Sequence, residues 1–162
     1  MTSSAVHFAI EKFSDAYPEA GPLMELHWQE IAKNKGLLKL NPDVARYEAI
    51  EKNILLVTAR AGGRLVVYFL WVLVTHSHYK EVLVAEEDLH FLLPEFRRGL
   101  TGYLFVKAAC RFAMDCGAKL LVVREKIGHE HPALMKRIGF KPTDVVYTLC
   151  AEGADGHGVQ AR

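Results

Sequence analysis

The sequence predicts an α+β fold in which a central mixed, mostly antiparallel sheet carries helices on both faces. Three observations predict it. Two helical patterns stand early, between a first strand and the next, which departs from strict strand–helix alternation. Three strand-like segments then follow one another through short turns, the signature of an antiparallel meander. A helix separates the third of these from a further strand, and such a crossover makes that one pair parallel. With 162 residues and 51 % hydrophobic composition, the chain has enough apolar surface for one core.

The elements follow in order. "AVHFAIEKF" alternates as a first strand. "GPLMELHWQEIAKNKG" reads as a helix opened by Pro22 and closed by Gly36, with Leu23, Leu26, Trp28 and Ile31 as its apolar stripe. "NPDVARYEAIEKN" is a second helix, with Asn41 as N-cap and Pro42 at the first helical position. "ILLVTARA" and "RLVVYFLWVLV" flank Gly62-Gly63, a hairpin signal, and "THSHYK" turns the chain into "EVLVAEEDLHFLL". A helix from about Leu100 to Cys116 sets Leu104, Ala108 and Phe112 on one side and Lys107, Arg111 and Asp115 on another, with Gly117 as its stop. "KLLVVRE" is the strand after the crossover, "HPALMKRIGF" a short helix ending at Gly139, and "TDVVYTLC" a last strand. Residues 1–150 thus read as one domain. The tail 151–162, "AEGADGHGVQAR", has almost nothing to bury and is expected to be disordered.

Composition narrows the function. Twenty Lys and Arg balance nineteen Asp and Glu, a net charge of +1, so no nucleic-acid partner is expected; Arg97, Arg98, Lys107 and Arg111 lack interleaved aromatic residues. Cys110, Cys116 and Cys150 show no CxxC or finger spacing and read as reduced thiols of a cytoplasmic protein. The start lacks a secretory layout, and the greasiest run, "LVVYFLWVLV", is far shorter than the ~20 residues of a membrane-spanning helix, so no membrane partner is expected. The pairs His76/His78 and His129/His131 each supply two ligands without a third at zinc spacing, and no metal is expected. There is no P-loop and no dinucleotide-binding glycine pattern.

The segment that stands out is "LPEFRRGLTGYLFVKAACRFA", Leu93 to Ala113. Glycines before a helix permit close backbone approach, arginines suit phosphate, and a helix start presents unpaired N–H groups. Together, Arg97, Arg98, Gly99, Leu100, Thr101 and Gly102 form a candidate anion nest. This loop and the order of elements resemble the GNAT acetyltransferase superfamily, in which an apolar strand leads into V-x-P-x-x-R-G-x-G-x-G. The matching residues here are Leu92, Pro94, Arg97, Arg98, Gly99, Leu100, Thr101 and Gly102, and "LMKRIGF" is similar to the family's later "LYEKLGF". The wording "PEFRRGLTG" is similar to small GNAT proteins of phages and prophages. The resemblance implies a GNAT-like sheet whose parallel pair splays apart, acetyl-CoA as acyl donor lying on the loop, and transfer of the acetyl group to an amine by direct attack. It also implies that backbone N–H groups of the strand before Pro94, at Leu92 and Leu93, polarise the thioester carbonyl.

Such a transfer needs a deprotonated amine, hence a general base. In "AEEDLH", strand alternation sets Glu86, Asp88 and His90 on one side and Glu87, Leu89 and Phe91 on the other. The resemblance puts the base on this strand, at Glu86 first and His90 second. Two positions depart from the family pattern: Leu100 replaces the middle glycine of the loop, and Met135 stands where a general-acid tyrosine is frequent. They carry the alternative reading, a catalytically silent GNAT-fold protein serving as a CoA-binding or interaction module, for instance in a phage particle. The long apolar third strand and the last strand are surfaces on which a homo-oligomer could form.

Overall fold

The computed structural model describes residues 6–33, 35–36 and 39–149. In chain order the elements are β1 (Val6–Glu11), α1 (Phe13–Ile31), α2 (Val44–Ala49), β2 (Ile54–Ala61), β3 (Arg64–His76), β4 (Tyr79–Leu92), α3 (Thr101–Asp115), β5 (Leu120–Val122) and α4 (Pro132–Ile138). Single 3-10 turns at Glu51–Asn53 and Pro94–Phe96 precede β2 and α3. The strands form one sheet in the order β1-β2-β3-β4-β5. The first four pair antiparallel, and β4 pairs parallel with β5 through Val84–Leu120, Ala85–Leu121 and Glu86–Val122. The mixed sheet and the parallel pair across the α3 crossover are those expected from the sequence.

β3 is the centre of the core. Leu65 to Trp71 are each at most 1 % exposed, because helices cover both faces of the strand. The Trp71 Nε1–H donates to the Ala109 carbonyl of α3 at 3.1 Å, whereas Tyr68 meets His27 of α1 on the opposite face. A strand covered on both sides reads as a continuous apolar run rather than an alternating one.

Three elements differ from expectation. α1 starts at Phe13 and carries Pro18 and Pro22 inside it, so Pro22 does not open the helix. Phe13, Ala16, Ala20, Leu23, Met24 and His27 are buried at helical spacing, and this stripe outweighs the two backbone bonds the prolines forgo. α2 is capped by Asp43, whose carboxylate accepts from the Arg46 N–H at 3.1 Å, rather than by Asn41. The expected last strand is absent among the described residues: 143–149 pair with no strand, and Val145, Tyr147 and Leu149 are 74, 90 and 93 % exposed. β-branched and aromatic residues suit a half-buried pleated surface, and without such a surface they specify no strand. Cys150 and the tail 151–162 lie outside the described residues.

Arg60 on β2 ties this sheet edge to α1. Its guanidinium binds Glu11 of β1 at 2.9 Å and Glu19 of α1 at 2.7 Å. The Arg60 hydrogen bond, opposed by partial burial and helped by Thr58, holds the Glu11 carboxyl below the usual carboxylate range. A lowered folded-state pKa contributes stability above the ordinary carboxylate range, and this is lost as pH falls through the folded value. Arg60→Met should therefore cost about 1 kcal/mol at neutral pH after allowance for solvent screening. The gap to wild type should close below the carboxylate range, as read by urea melts across that interval.

Candidate active site

β4 keeps β3 on one side for its whole length but has β5 on the other only as far as Glu86, after which it runs on alone to Leu92. The cleft lies where the second partner ends. Its cavity is about 760 Å³ and is lined by α1 (His27, Glu30), β4 (Glu87, His90) and the segment after β5 (Arg124), with Gly102 on the α3 side.

A β-bulge decides which side chains meet there. Leu70 pairs with Leu89 while the next residue, Trp71, pairs with Glu87, so Asp88 is the extra residue of β4. The bulge reverses the alternation read from the sequence. Glu86, Asp88 and His90 do not share a side; His90 opposite Phe69 and Glu87 opposite Trp71 do. Glu87 is nearly buried, its side chain 7 % exposed, and its carboxylate lies 3.0 Å from His90 Nδ1. Its other oxygen accepts from the Arg124 N–H at 3.3 Å. The His90 ring stacks on Phe69, with centroids 5.2 Å apart. Glu86 holds the last paired position, and its carboxylate binds the Arg124 guanidinium at 3.0 Å. Asp88 turns to α2 and accepts from the Tyr47 hydroxyl at 2.6 Å, which together with burial, the larger cause, raises the pKa of that phenol.

The loop after β4 divides its two arginines. Arg97 folds back onto the protein: its Nη atoms bind both Glu30 oxygens at 2.8 and 2.6 Å, its Nε donates to the Leu92 carbonyl at 2.8 Å, and it lies 5.3 Å over the Phe91 ring. This guanidinium holds the Glu30 carboxyl below the usual range, against a smaller effect of burial. Arg98 is exposed and makes no ion pair among the described residues. Gly99 turns the chain at φ +75°, where a side chain would be strained. Leu100 is the N-cap residue of α3, is 55 % exposed and offers no side-chain cap, so the first-turn N–H groups of α3, from Thr101 and Gly102 onward, have no side-chain acceptor there. A Cβ on Gly102 would touch Leu92 Cδ2 at an ordinary 3.5 Å. Leu93 is buried, and its N–H donates to the Val66 carbonyl.

Glu87 and His27 are the residues sequence reasoning passed over. Nothing in "AEEDLH" marks Asp88 as a bulge, so Glu87 falls on the wrong face of an ideal strand. His27 lies one turn before Glu30 and Ile31 on α1, and its place in the buried stripe shows only once that helix begins at Phe13.

No protein-family model matches the chain, and no curated protein matches it. Solved structures do. A ribosomal-protein-alanine N-acetyltransferase from Brucella melitensis biovar Abortus is similar at 17 % identity and TM-score 0.68, over 91 % of this chain and 99 % of that one. A predicted acetyltransferase from Clostridium acetobutylicum, solved with acetyl-CoA, is similar at 10 % identity and TM-score 0.67, over 90 % and 96 %. An aminoglycoside acetyltransferase from an uncultured soil metagenomic sample, in complex with sisomicin, is similar at 14 % identity and TM-score 0.66, over 90 % and 97 %. The chain therefore has the fold of these acetyltransferases along nearly its whole length.

The two loop arginines should separate by experiment. Arg97→Ala removes a bidentate ion pair, a backbone bond and a ring contact, and should lower stability by about 1 kcal/mol once its exposure is allowed for. Arg98→Ala should leave stability within about 0.5 kcal/mol. Denaturant melts of the two variants decide the point.

Proposed function

We propose that the chain is an N-acetyltransferase that moves the acetyl group of acetyl-CoA to an amine, with His90 as the base and Glu87 as the residue that positions it. The observation that carries the reading is the Glu87–His90 pair at the point where β4 loses β5. Glu87 Oε1 faces His90 Nδ1, so the imidazole holds its proton at Nδ1, donates it to the carboxylate, and keeps Nε2 as the proton acceptor. Glu87 also stabilises the imidazolium that forms when the amine gives up its proton. Glu86, the first expectation for the base, is tied to Arg124 instead.

The chain's residues fit the acyl donor. The uncapped first turn of α3, Gly99 and exposed Arg98 supply donors and positive charge for a pyrophosphate, while Arg97, bound to Glu30, shapes the loop. Bound acetyl-CoA supplies the activated acyl group. Beyond Glu86 the β5-facing edge of β4 is open, so its backbone N–H groups are available to a carbonyl oxygen. Met135 is buried in α4 and carries no proton donor, so departure of the thiol is assigned no acid at that position.

The fold is shared with acetyltransferases whose acceptors range from a ribosomal protein to an aminoglycoside, which supports an amine acceptor as a class. Acetyl-CoA should raise the melting temperature of the purified protein, and a panel of amines, peptides and aminoglycosides should give acceptor-dependent thiol release. His90→Gln should keep affinity for acetyl-CoA and lower kcat by ~10²–10⁴-fold, whereas Glu86→Gln should change kcat by less than about tenfold. Binding without thiol release across the panel would favour the silent CoA-binding module. Loss of turnover in Glu86→Gln with retention in His90→Gln would return the role of base to Glu86.

A further inference from the structure

We infer that His27 recognises the acyl acceptor, presenting a fixed Nε2–H donor to the cleft that selects amines carrying an oxygen, carbonyl or hydroxyl, close to the amino group. The inference rests on the transferase reading for what the cleft is used for, but the atom-level assignment stands on geometry alone. Tyr68 is fully buried, and among the described residues its hydroxyl has one hydrogen-bond partner, His27 Nδ1 at 2.9 Å. A buried hydroxyl places its proton on an available acceptor, since leaving it unbonded costs the full desolvation penalty. Tyr68 therefore donates, Nδ1 accepts, and the imidazole proton is left on Nε2.

Among the described residues Nε2 makes no hydrogen bond, yet no buried polar side-chain atom there lacks a partner. Nε2 thus reaches accessible surface, and the surface His27 lines is the cleft, which it shares with Glu30 and His90. The ring plane is held by stacking on Phe91, with centroids 5.1 Å apart and planes at 26°. Phe91 and His90 point to opposite faces of β4, yet His27 and His90 both line the cleft, so the donor and the proposed base face the same cavity.

The donor is also neutral. Burial, reinforced by the neighbouring His90, pushes the His27 imidazole down to about 4. An amine arrives largely as an ammonium ion, which a charged imidazolium would repel and a neutral N–H does not. Glu30, the nearby carboxylate on the same helix, is held by Arg97 through both of its oxygens. What His27 rewards is consequently an uncharged or anionic oxygen rather than a second cation.

Long-range nitrogen–proton NMR on the ¹⁵N-labelled full chain reads the tautomer without any substitution. Wild type should show a pyrrole-type Nε2 and a pyridine-type Nδ1 at His27, and Tyr68→Phe should shift the mixture toward the other tautomer. Alaninamide, alaninol and sec-butylamine are then titrated in the presence of CoA, three amines of similar size that differ in their oxygen. The oxygen-bearing probes should move His27 Nε2 and bind roughly three- to tenfold more tightly than sec-butylamine, and His27→Leu should abolish the difference. A response to alaninamide alone assigns a carbonyl, and to alaninol alone a hydroxyl. A pyridine-type Nε2 in wild type, equal binding of the three amines, or a preference that survives His27→Leu overturns the inference. Selective binding with no thiol release from any amine would sink the transferase reading and leave this recognition standing; thiol release with equal binding would do the reverse.

Discussion

Beyond Glu86, β4 has a hydrogen-bonding partner on one side only, and the rest of the site follows from that loss. A strand in the middle of a sheet cannot leave a row of N–H and C=O groups dry and unpaired, so the gap must be open to solvent or to a ligand. The gap admits charge as well. Glu87, His90 and Arg124 gather where the strands part, and nearly buried Glu87, whose carboxylate would be costly if isolated, has both of the others as partners. The Asp88 bulge completes the arrangement by rotating Glu87 onto the face of His90 while sending its own carboxylate to Tyr47.

Much of this was legible in the sequence and some was not. The meander, the parallel crossover and the loop before α3 follow from local signals that the folded protein does not override: Gly62-Gly63, a periodic helix and glycines before a helix start. The start of α1 was hidden because Pro22 imitates a helix opening, and only the tertiary burial of Phe13 and Ala16 shows that the helix is already under way. "TDVVYTLC" has the composition of a strand but finds no neighbour among the described residues, and propensity cannot supply one. At the site, one inserted residue reverses every face assignment downstream of it. His90 was picked out from the sequence, while Glu87 was set on the wrong side by a bulge that leaves no mark in the residue types.

The loop arginines show why a motif is not yet a geometry. Two adjacent guanidiniums look equivalent in sequence, and the fold gives them different work. Arg97, though exposed, folds back so that Glu30, the Leu92 carbonyl and Phe91 fix it, and it joins α1 to the end of β4. Arg98 stays exposed, with no ion pair among the described residues. The helix that carries Glu30 also carries His27, so a single rigid element sets the position of the loop and lines the cleft beside it.

The exposed run from Val145 to Leu149 bears on how the protein behaves in concentrated solution. An exposed apolar stretch that pairs with no strand among the described residues is a template for another chain, and identical copies present identical templates. Lys141, Pro142 and Asp144 stand immediately before it, a charge, a ring without an N–H and a second charge, the residue types that blunt such pairing. The N-terminal flank of that run thus works against such pairing, and replacing those three residues would remove this protection from an already exposed segment without touching the core or the cleft.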